Sequence, residues 1–196
     1  MSTKLLGRRV AIVAGLRTPF VKSSGVFKSL TALDLGKTVV KELLARSGLD
    51  PAVVDLVVFG QVVASPATPN LAREIVLATG LPRAVDAFSV ARACATSIQS
   101  LTNAVEAIAL GHADVAITGG ADSLSNPPVT ISRPLTDALM SAQKAKGVGA
   151  KLQSFSRLKP RDLVPVAPAI AEFSTGETMG DSAEKMAKLN AFPREA

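Results

Sequence analysis

The sequence predicts an α/β domain in which a parallel sheet lies between layers of helix. Two observations carry this. Short apolar runs of strand length show no polar alternation, as strands covered on both faces do, and segments of helical periodicity separate them, the pattern of βαβ crossovers. The composition agrees: 196 residues, 47% hydrophobic and 19% charged, give a chain able to bury a sizeable core.

Taken in order, Arg9-Val10-Ala11-Ile12-Val13-Ala14 reads as the first buried strand. Thr31 with Asp34 three residues on makes a capping-box variant, and Leu35, Val39, Val40, Leu43 and Leu44 then recur at helical spacing until Gly48. Leu56 to Ala64 reads as a second strand. Thr68-Pro69 places a capping hydroxyl ahead of a helix that runs from Asn70 to about Gly80. Ala87 to Val90 leads through a tight turn at Cys94 into a helix whose stripe is Ile98, Leu101, Val105 and Ile108, ending near Gly111. Ala113 to Thr118 makes a fourth strand, closed by a turn at Gly119-Gly120. Beyond Ser125 the texture changes. Pro127, Pro128, Pro134, Pro160, Pro165 and Pro168, the last outside the residues the structure describes, punctuate a basic, partly amphipathic stretch without a strand-length apolar run, an excursion rather than a second core. Asp181 to Leu189 reads as a short helix, and Pro193-Arg194-Glu195 as the first turn of another. The predicted organisation is a domain over residues 1–124, a loop excursion over 125–180 and a return toward the domain over 181–196.

Composition also excludes functions. One Cys and one His supply neither a disulfide nor a metal ligand set, which points to a reducing compartment and no metal. Charges at Asp55, Glu106 and Asp114 interrupt the longest apolar stretches, so a soluble chain is expected. Residues 1–33 carry six basic and no acidic groups, and residues 133–161 seven basic groups against Asp137 alone; each is +6, and the remainder is −6. The chain has no Trp or Tyr, and its seven Phe are not interleaved with Lys or Arg in the manner of single-strand binders, so nucleic acid is not expected as a partner. The acid-free amino terminus has a transit-peptide composition, but its strand pattern favours a role in the fold.

Cys94 is the residue with most chemical content. At the junction of a strand and a helix N-terminus, unpaired N–H groups and the positive helix end favour a thiolate and suit a nucleophile. A free Cys packed as a small hydrophobe fits the same spacing. Its expected place at the carboxyl end of a central strand is where open α/β sheets put their sites. His112 is no partner for it: eighteen residues along one helix at 1.5 Å each separate them by roughly 27 Å. It is expected at the last carbonyls of that helix. Gly119-Gly120 fits an anion nest or an ordinary turn. The basic segment 133–161 suits nucleotide phosphates, an anionic membrane or an acidic partner, and equally a solvated face. Gly147-Val148-Gly149 lacks the preceding strand of a dinucleotide loop.

One ordered set of motifs goes further. Arg17-Thr18-Pro19-Phe20, Gly60-Gln61, Asn70 with Ala72-Arg73, Gly80-Leu81-Pro82, Ser89-Val90-Ala91-Arg92-Ala93-Cys94, Gly119-Gly120-Ala121-Asp122-Ser123 and Met179-Gly180-Asp181-Ser182-Ala183-Glu184 follow one another along nearly the whole chain. In that order they resemble the thiolase family. Cys94-Ala95-Thr96-Ser97 and the stretch Phe155 to Pro165 look most like its degradative 3-ketoacyl-CoA branch, found in the fatty-acid oxidation multienzyme complex.

The resemblance implies a thiolase-like layered α-β-α domain, the amino-terminal half of an αβαβα fold, and an acyltransferase of fatty-acid β-oxidation. Cys94 is then the acyl-accepting nucleophile, coenzyme A is a co-substrate with no further cofactor, residues 125–180 lie on the CoA side, and Met179 is a pantetheine-side contact or else a core Met. It also implies acyl-CoA and CoA as ligands, a homodimer, association with a hydratase/dehydrogenase subunit, peripheral membrane contact through 133–161, and a cytoplasmic or mitochondrial-matrix location. Thiolases are about twice this length, and their second half carries two His and a second Cys that have no counterpart here; Thr178 stands where some members have His, and Pro193 where a hydroxyl residue is usual. The expectation is therefore an amino-terminal half with little turnover alone. The alternatives are a non-catalytic interaction or acyl-CoA-binding fragment and a ketosynthase-type condensing enzyme, against which Ala95-Thr96 stands where Ser residues are usual.

Overall fold

The computed structural model describes residues 8–166 and 169–195. The chain divides into two compact units, Met1–Pro128 and Val129–Ala196.

In the first unit, three parallel strands form a sheet, β1 (Leu56–Gly60), β2 (Asp86–Val90) and β3 (Ala116–Gly120), in the spatial order β2-β1-β3. Val58 pairs with Phe88 on one side and Thr118 on the other. β1 is buried along its whole length, as the absence of alternation predicts. Its side chains separate two cores. Val57 and Phe59 face α1 (Ala32–Ser47) and α2 (Leu71–Thr79), where Val40, Leu44, Leu71, Ile75 and Val76 pack. Leu56 and Val58 face α3 (Thr96–Ala109) through Ala104. These three layers are the α-β-α arrangement the sequence predicts.

The helix ends follow their caps. Thr31 accepts from the Asp34 N–H while the Asp34 carboxylate accepts from the Thr31 N–H, and Gly48 closes α1 at φ 64°. The hydrogen bond from Lys37, first, and then those from the Thr31 backbone and hydroxyl lower the Asp34 carboxyl from 3.8 to about 2. A carboxyl depressed by folding contributes stability above its unfolded value and loses it on protonation. Stability should therefore fall between pH 3.8 and about 2, and Asp34→Asn should flatten that part of a thermal-unfolding pH series. An unchanged slope in the variant would contradict this assignment.

Several expectations need correction. Arg9–Ala14 is not a strand: Ile12 and Val13 are 74% and 92% exposed, and the described sheet has three strands rather than four. Strand propensity becomes a strand only where a neighbour takes the N–H and C=O groups, and this run has no ladder. β1 stops at Gly60 rather than Ala64 because the Asp122 carboxylate accepts the Val62 and Val63 N–H groups. The cap of α2 is Asn70, whose Oδ1 accepts from the Arg73 N–H and whose Nδ2 donates to the Ala87 carbonyl; Thr68 has no such role. Gly119-Gly120 belongs to β3 and is neither turn nor nest. A Cβ at Gly119 would stand 2.6 Å from the Phe59 ring, and one at Gly120 would overlap the Ser97 hydroxyl, so both glycines exist for close packing.

The second unit contains α4 (Arg133–Lys144), α5 (Val148–Gln153), a 3₁₀ turn at Pro160–Leu163 and α6 (Met179–Leu189). The Ser132 hydroxyl caps α4 and donates to the Asp162 carbonyl. Thr178 and Asp181 form a capping box that starts α6 two residues earlier than its apolar pattern suggests, and Thr178 holds the Asp181 carboxyl below the usual carboxylate range. Pro193 has no regular structure, and Arg194 and Glu195 lie in a turn, not a helix. Among the described residues no helix is long and apolar enough to cross a membrane.

Candidate functional site

The carboxyl ends of the three strands meet the start of α3, and the sequence between β2 and α3 makes that junction abrupt. Ala91 to Ala95 turn the chain in five residues, with Ala93 at φ 43°, a left-handed conformation that side-chain-bearing residues rarely adopt. The Ala95 N–H donates to the Arg92 carbonyl at 3.0 Å and the Thr96 N–H to that of Ala93 at 3.2 Å. Cys94 stands at the crest of this turn, a free, exposed thiol directly ahead of the helix cap Ala95.

Ala95 provides no side-chain cap. The first helical backbone bond runs from the Gln99 N–H to the Ala95 carbonyl, so among the described residues the Ser97 and Ile98 N–H groups have no acceptor. Open N–H groups in a first helical turn attract negative charge. The Arg92 guanidinium is tied to Gln99, whose amide donates to Asn103 at 2.9 Å.

Cys94 follows β2, an edge strand of the described sheet, not a central one. The reason is the winding: the connection through α2 puts β2 on one side of β1, while α3 carries the chain to β3 on the other. The reversal point at the ends of such strands is where open α/β sheets place ligands, so the expectation of a site survives while its strand changes.

α3 buries Thr96, Ser100 and Ala104 against the sheet, and of the predicted stripe Ile108 packs against the same core. Ile98 is 67% exposed, and Leu101, Val105 and Ile108 are only partly buried. On this side the sheet ends in Gly60 and Gly120, whose missing side chains leave room for Thr96 and Ser97 of α3 to approach the backbone closely. Ser100 donates to the carbonyls of Ser97 at 2.7 Å and Gly119 at 2.9 Å. These small residues at spacing four were the readable signal of the true packing face.

His112 does not approach Cys94. The helix between them has 14 residues, about 20 Å at 1.5 Å each, and the His112 N–H donates to the Ala107 carbonyl at 2.9 Å, closing α3 beside Gly111 at φ 78°. Its role at the helix end is thus a backbone one. Met179 is the first residue of α6 in the second unit and is 64% exposed, which removes the core-Met reading. Among the described residues no group of His, Cys, Asp and Glu could hold a metal ion.

The comparisons with known proteins bear on what this junction is. Residues 10–196 match the family described as thiolase, N-terminal domain. The chain is 56% identical over 192 residues to a 3-ketoacyl-CoA thiolase of Shewanella sp. (strain W3-18-1), covering 98% of this chain and 44% of the relative. It is 55% identical, over the same shares, to that of Shewanella baltica (strain OS155 / ATCC BAA-1091). Among solved structures, the Acat5 thiolase of Ascaris suum in complex with coenzyme A superposes with a TM-score of 0.69 at 25% identity, over 92% of this chain and 42% of that one. Human mitochondrial 3-ketoacyl-CoA thiolase in complex with CoA gives 0.68 at 25%, over 91% and 42%. The chain thus spans under half the length of the curated relatives it matches. Over the part that it does span, sequence and layered fold agree: the chain belongs to the thiolase family, whose amino-terminal domain it carries.

Proposed function

We propose that this protein serves 3-ketoacyl-CoA thiolysis in fatty-acid β-oxidation, with Cys94 as the nucleophile that carries the acyl group. The observation that supports it is the placement of the one thiol, exposed on a strained turn and followed by a helix whose first N–H groups are open. In this reading the Cys94 sulfur, as thiolate, attacks the C3 keto carbonyl of a 3-ketoacyl-CoA. The C2–C3 bond breaks, its electron pair stays on C2 as the acetyl-CoA enolate, and a proton quenches that carbanion. The acyl group is left as a thioester on Cys94. The thiol of a second CoA then attacks that thioester and releases a shortened acyl-CoA and the free Cys94 thiol. Two displacements replace one hard one, the usual gain of covalent catalysis.

Residues 125–180 form the CoA side and Met179 contacts the pantetheine arm. Acyl-CoA and CoA are the ligands, with no further cofactor. The protein acts as a homodimer beside a hydratase/dehydrogenase subunit in the cytoplasm, and the excess positive charge of 133–161 serves peripheral contact with an anionic membrane.

Among the described residues no group stands ready as the base for Cys94, since His112 lies at the far end of α3. A base and oxyanion donors each contribute on the order of a hundredfold or more. The purified 196-residue chain should therefore cleave 3-ketoacyl-CoA several powers of ten more slowly than a chimera that continues it with the rest of the 56%-identical Shewanella thiolase. Comparable turnover by the chain alone, or a folded but inactive chimera, would contradict the proposal.

A second reading, a non-catalytic interaction fragment, draws on the exposed side of α3, where Ile98 and Leu110 stand in solvent. Light scattering separates the two: an interaction fragment self-associates or needs a partner to stay dispersed, and the chimera gains no activity.

A further inference from the structure

We infer that Thr96 is the positioning residue of the Cys94 turn and that Gly60 is the vacancy that admits it. The inference rests on the reading of Cys94 as the reacting thiol and adds what holds that thiol in place.

Ala93 at φ 43° sits in a conformation that persists only where its surroundings impose it. The Thr96 side chain is the imposing group. Its Oγ1 accepts from the Arg92 N–H at 2.7 Å and donates to the Ala93 carbonyl at 2.6 Å, so one hydroxyl closes the turn on both sides of the strained residue. Thr96 is 3% exposed, so water does not compete for either bond. The hydroxyl is itself fixed from the other side. A Cβ at Gly60, the last residue of β1, would overlap the Thr96 methyl and come within 3.2 Å of the Thr96 carbonyl oxygen. The methyl therefore occupies the space left by the missing side chain at the end of the central strand. The chain of contacts runs from Gly60 through the Thr96 methyl to the Thr96 hydroxyl, and thence to Arg92 and Ala93 on the residue side of Cys94. Thr96 touches no substrate in this account; it acts by keeping Cys94 at the mouth of α3.

The experiment measures the rate at which iodoacetamide alkylates Cys94 in the folded chain at neutral pH, with thermal unfolding recorded on each variant. Thr96→Val keeps the shape and deletes both hydroxyl bonds; it should slow alkylation by about tenfold, because thiol reactivity follows the sulfur's position at the helix N-terminus. Thr96→Ser keeps the hydroxyl and should stay within about twofold of the parent. In urea all variants should react alike. Alkylation of Thr96→Val at the parent rate, or a loss in Thr96→Ser as large as in Thr96→Val, overturns the inference. Should Thr96→Val show no cooperative unfolding transition, Gly60→Ala decides the matter: it should slow alkylation, and adding Thr96→Ser, which deletes the clashing methyl, should restore part of the rate. No restoration overturns the inference as well. Incubation of the chimera completed with the thiolase carboxyl-terminal half with acetyl-CoA tests the underlying reading separately. A chimera that is never acylated sinks the nucleophile assignment, whereas an acylated chimera beside a Thr96→Val chain that alkylates at the parent rate sinks only the role of Thr96.

Discussion

In the chimera completed with a thiolase carboxyl-terminal half, Cys94→Ala is expected to reduce 3-ketoacyl-CoA cleavage by on the order of 10⁴–10⁶-fold, the scale on which loss of a covalent nucleophile acts in enzymes where the group works as a unit with its base. The loss should appear in kcat, because the substitution removes a bond made during reaction and leaves the binding surface in place. In the 196-residue chain the same substitution should leave the unfolding transition nearly unchanged, since the thiol is exposed there. The check is consumption of a 3-ketoacyl-CoA in the presence of CoA, followed alongside thermal unfolding. Retention of a tenth or more of the activity would remove Cys94 from the reaction.

The second large effect concerns stability. Phe59 is buried on the central strand, with Gly36 of α1 on one side and Gly119 of β3 on the other; Cβ atoms added at those glycines would approach its ring to 3.4 and 2.6 Å. Neither glycine can extend to fill a void, and the surrounding Ile75 and Ile117 are held in the same core. Phe59→Ala should cost about 3–5 kcal/mol, the range for deleting a buried aromatic ring whose cavity cannot collapse. Urea unfolding of the first unit measures it. A shift under about 1 kcal/mol would mean that the ring is not the keystone of this core.

The parts of the fold that were legible from sequence are those fixed by local chemistry. Thr31 with Asp34, Gly48 and Gly80 announce helix ends because a capping oxygen and a left-handed glycine act on neighbours a few residues away. The continuous apolar run of β1 announces a strand covered on both faces for the same reason. What was not legible depends on partners distant in sequence. Arg9–Ala14 has a strand's composition and no strand beside it. Asp122 ends β1 from sixty residues away. For α3 the sequence suggests a face at Ile98, Leu101, Val105 and Ile108, whereas the structure buries Thr96, Ser100 and Ala104. Two glycines at the sheet end, Gly60 and Gly120, let the small residues of α3 come closest. The start of α4 at Ser132 with Pro134 carried a readable signal that the density of prolines obscured.

The candidate site divides in the same way. Cys94 stands out by its position between strand and helix, which local pattern reveals, whereas Thr96 reads as an unremarkable helical residue until its hydroxyl is seen closing the turn around Ala93. His112 could be set aside by arithmetic along one helix. The loss of Met179 as a core residue needed the structure, because a methionine opening a helix looks alike whether it faces core or solvent.

The most direct measurement is to incubate the chimera completed with the thiolase carboxyl-terminal half with an acyl-CoA, quench at acid pH, digest, and locate the acyl group by mass. A single hydroxylamine-labile thioester on the peptide holding Cys94, absent from Cys94→Ala, is the predicted result; an unmodified Cys94 peptide, or acyl groups found only on lysines and hydroxyls elsewhere, would contradict it.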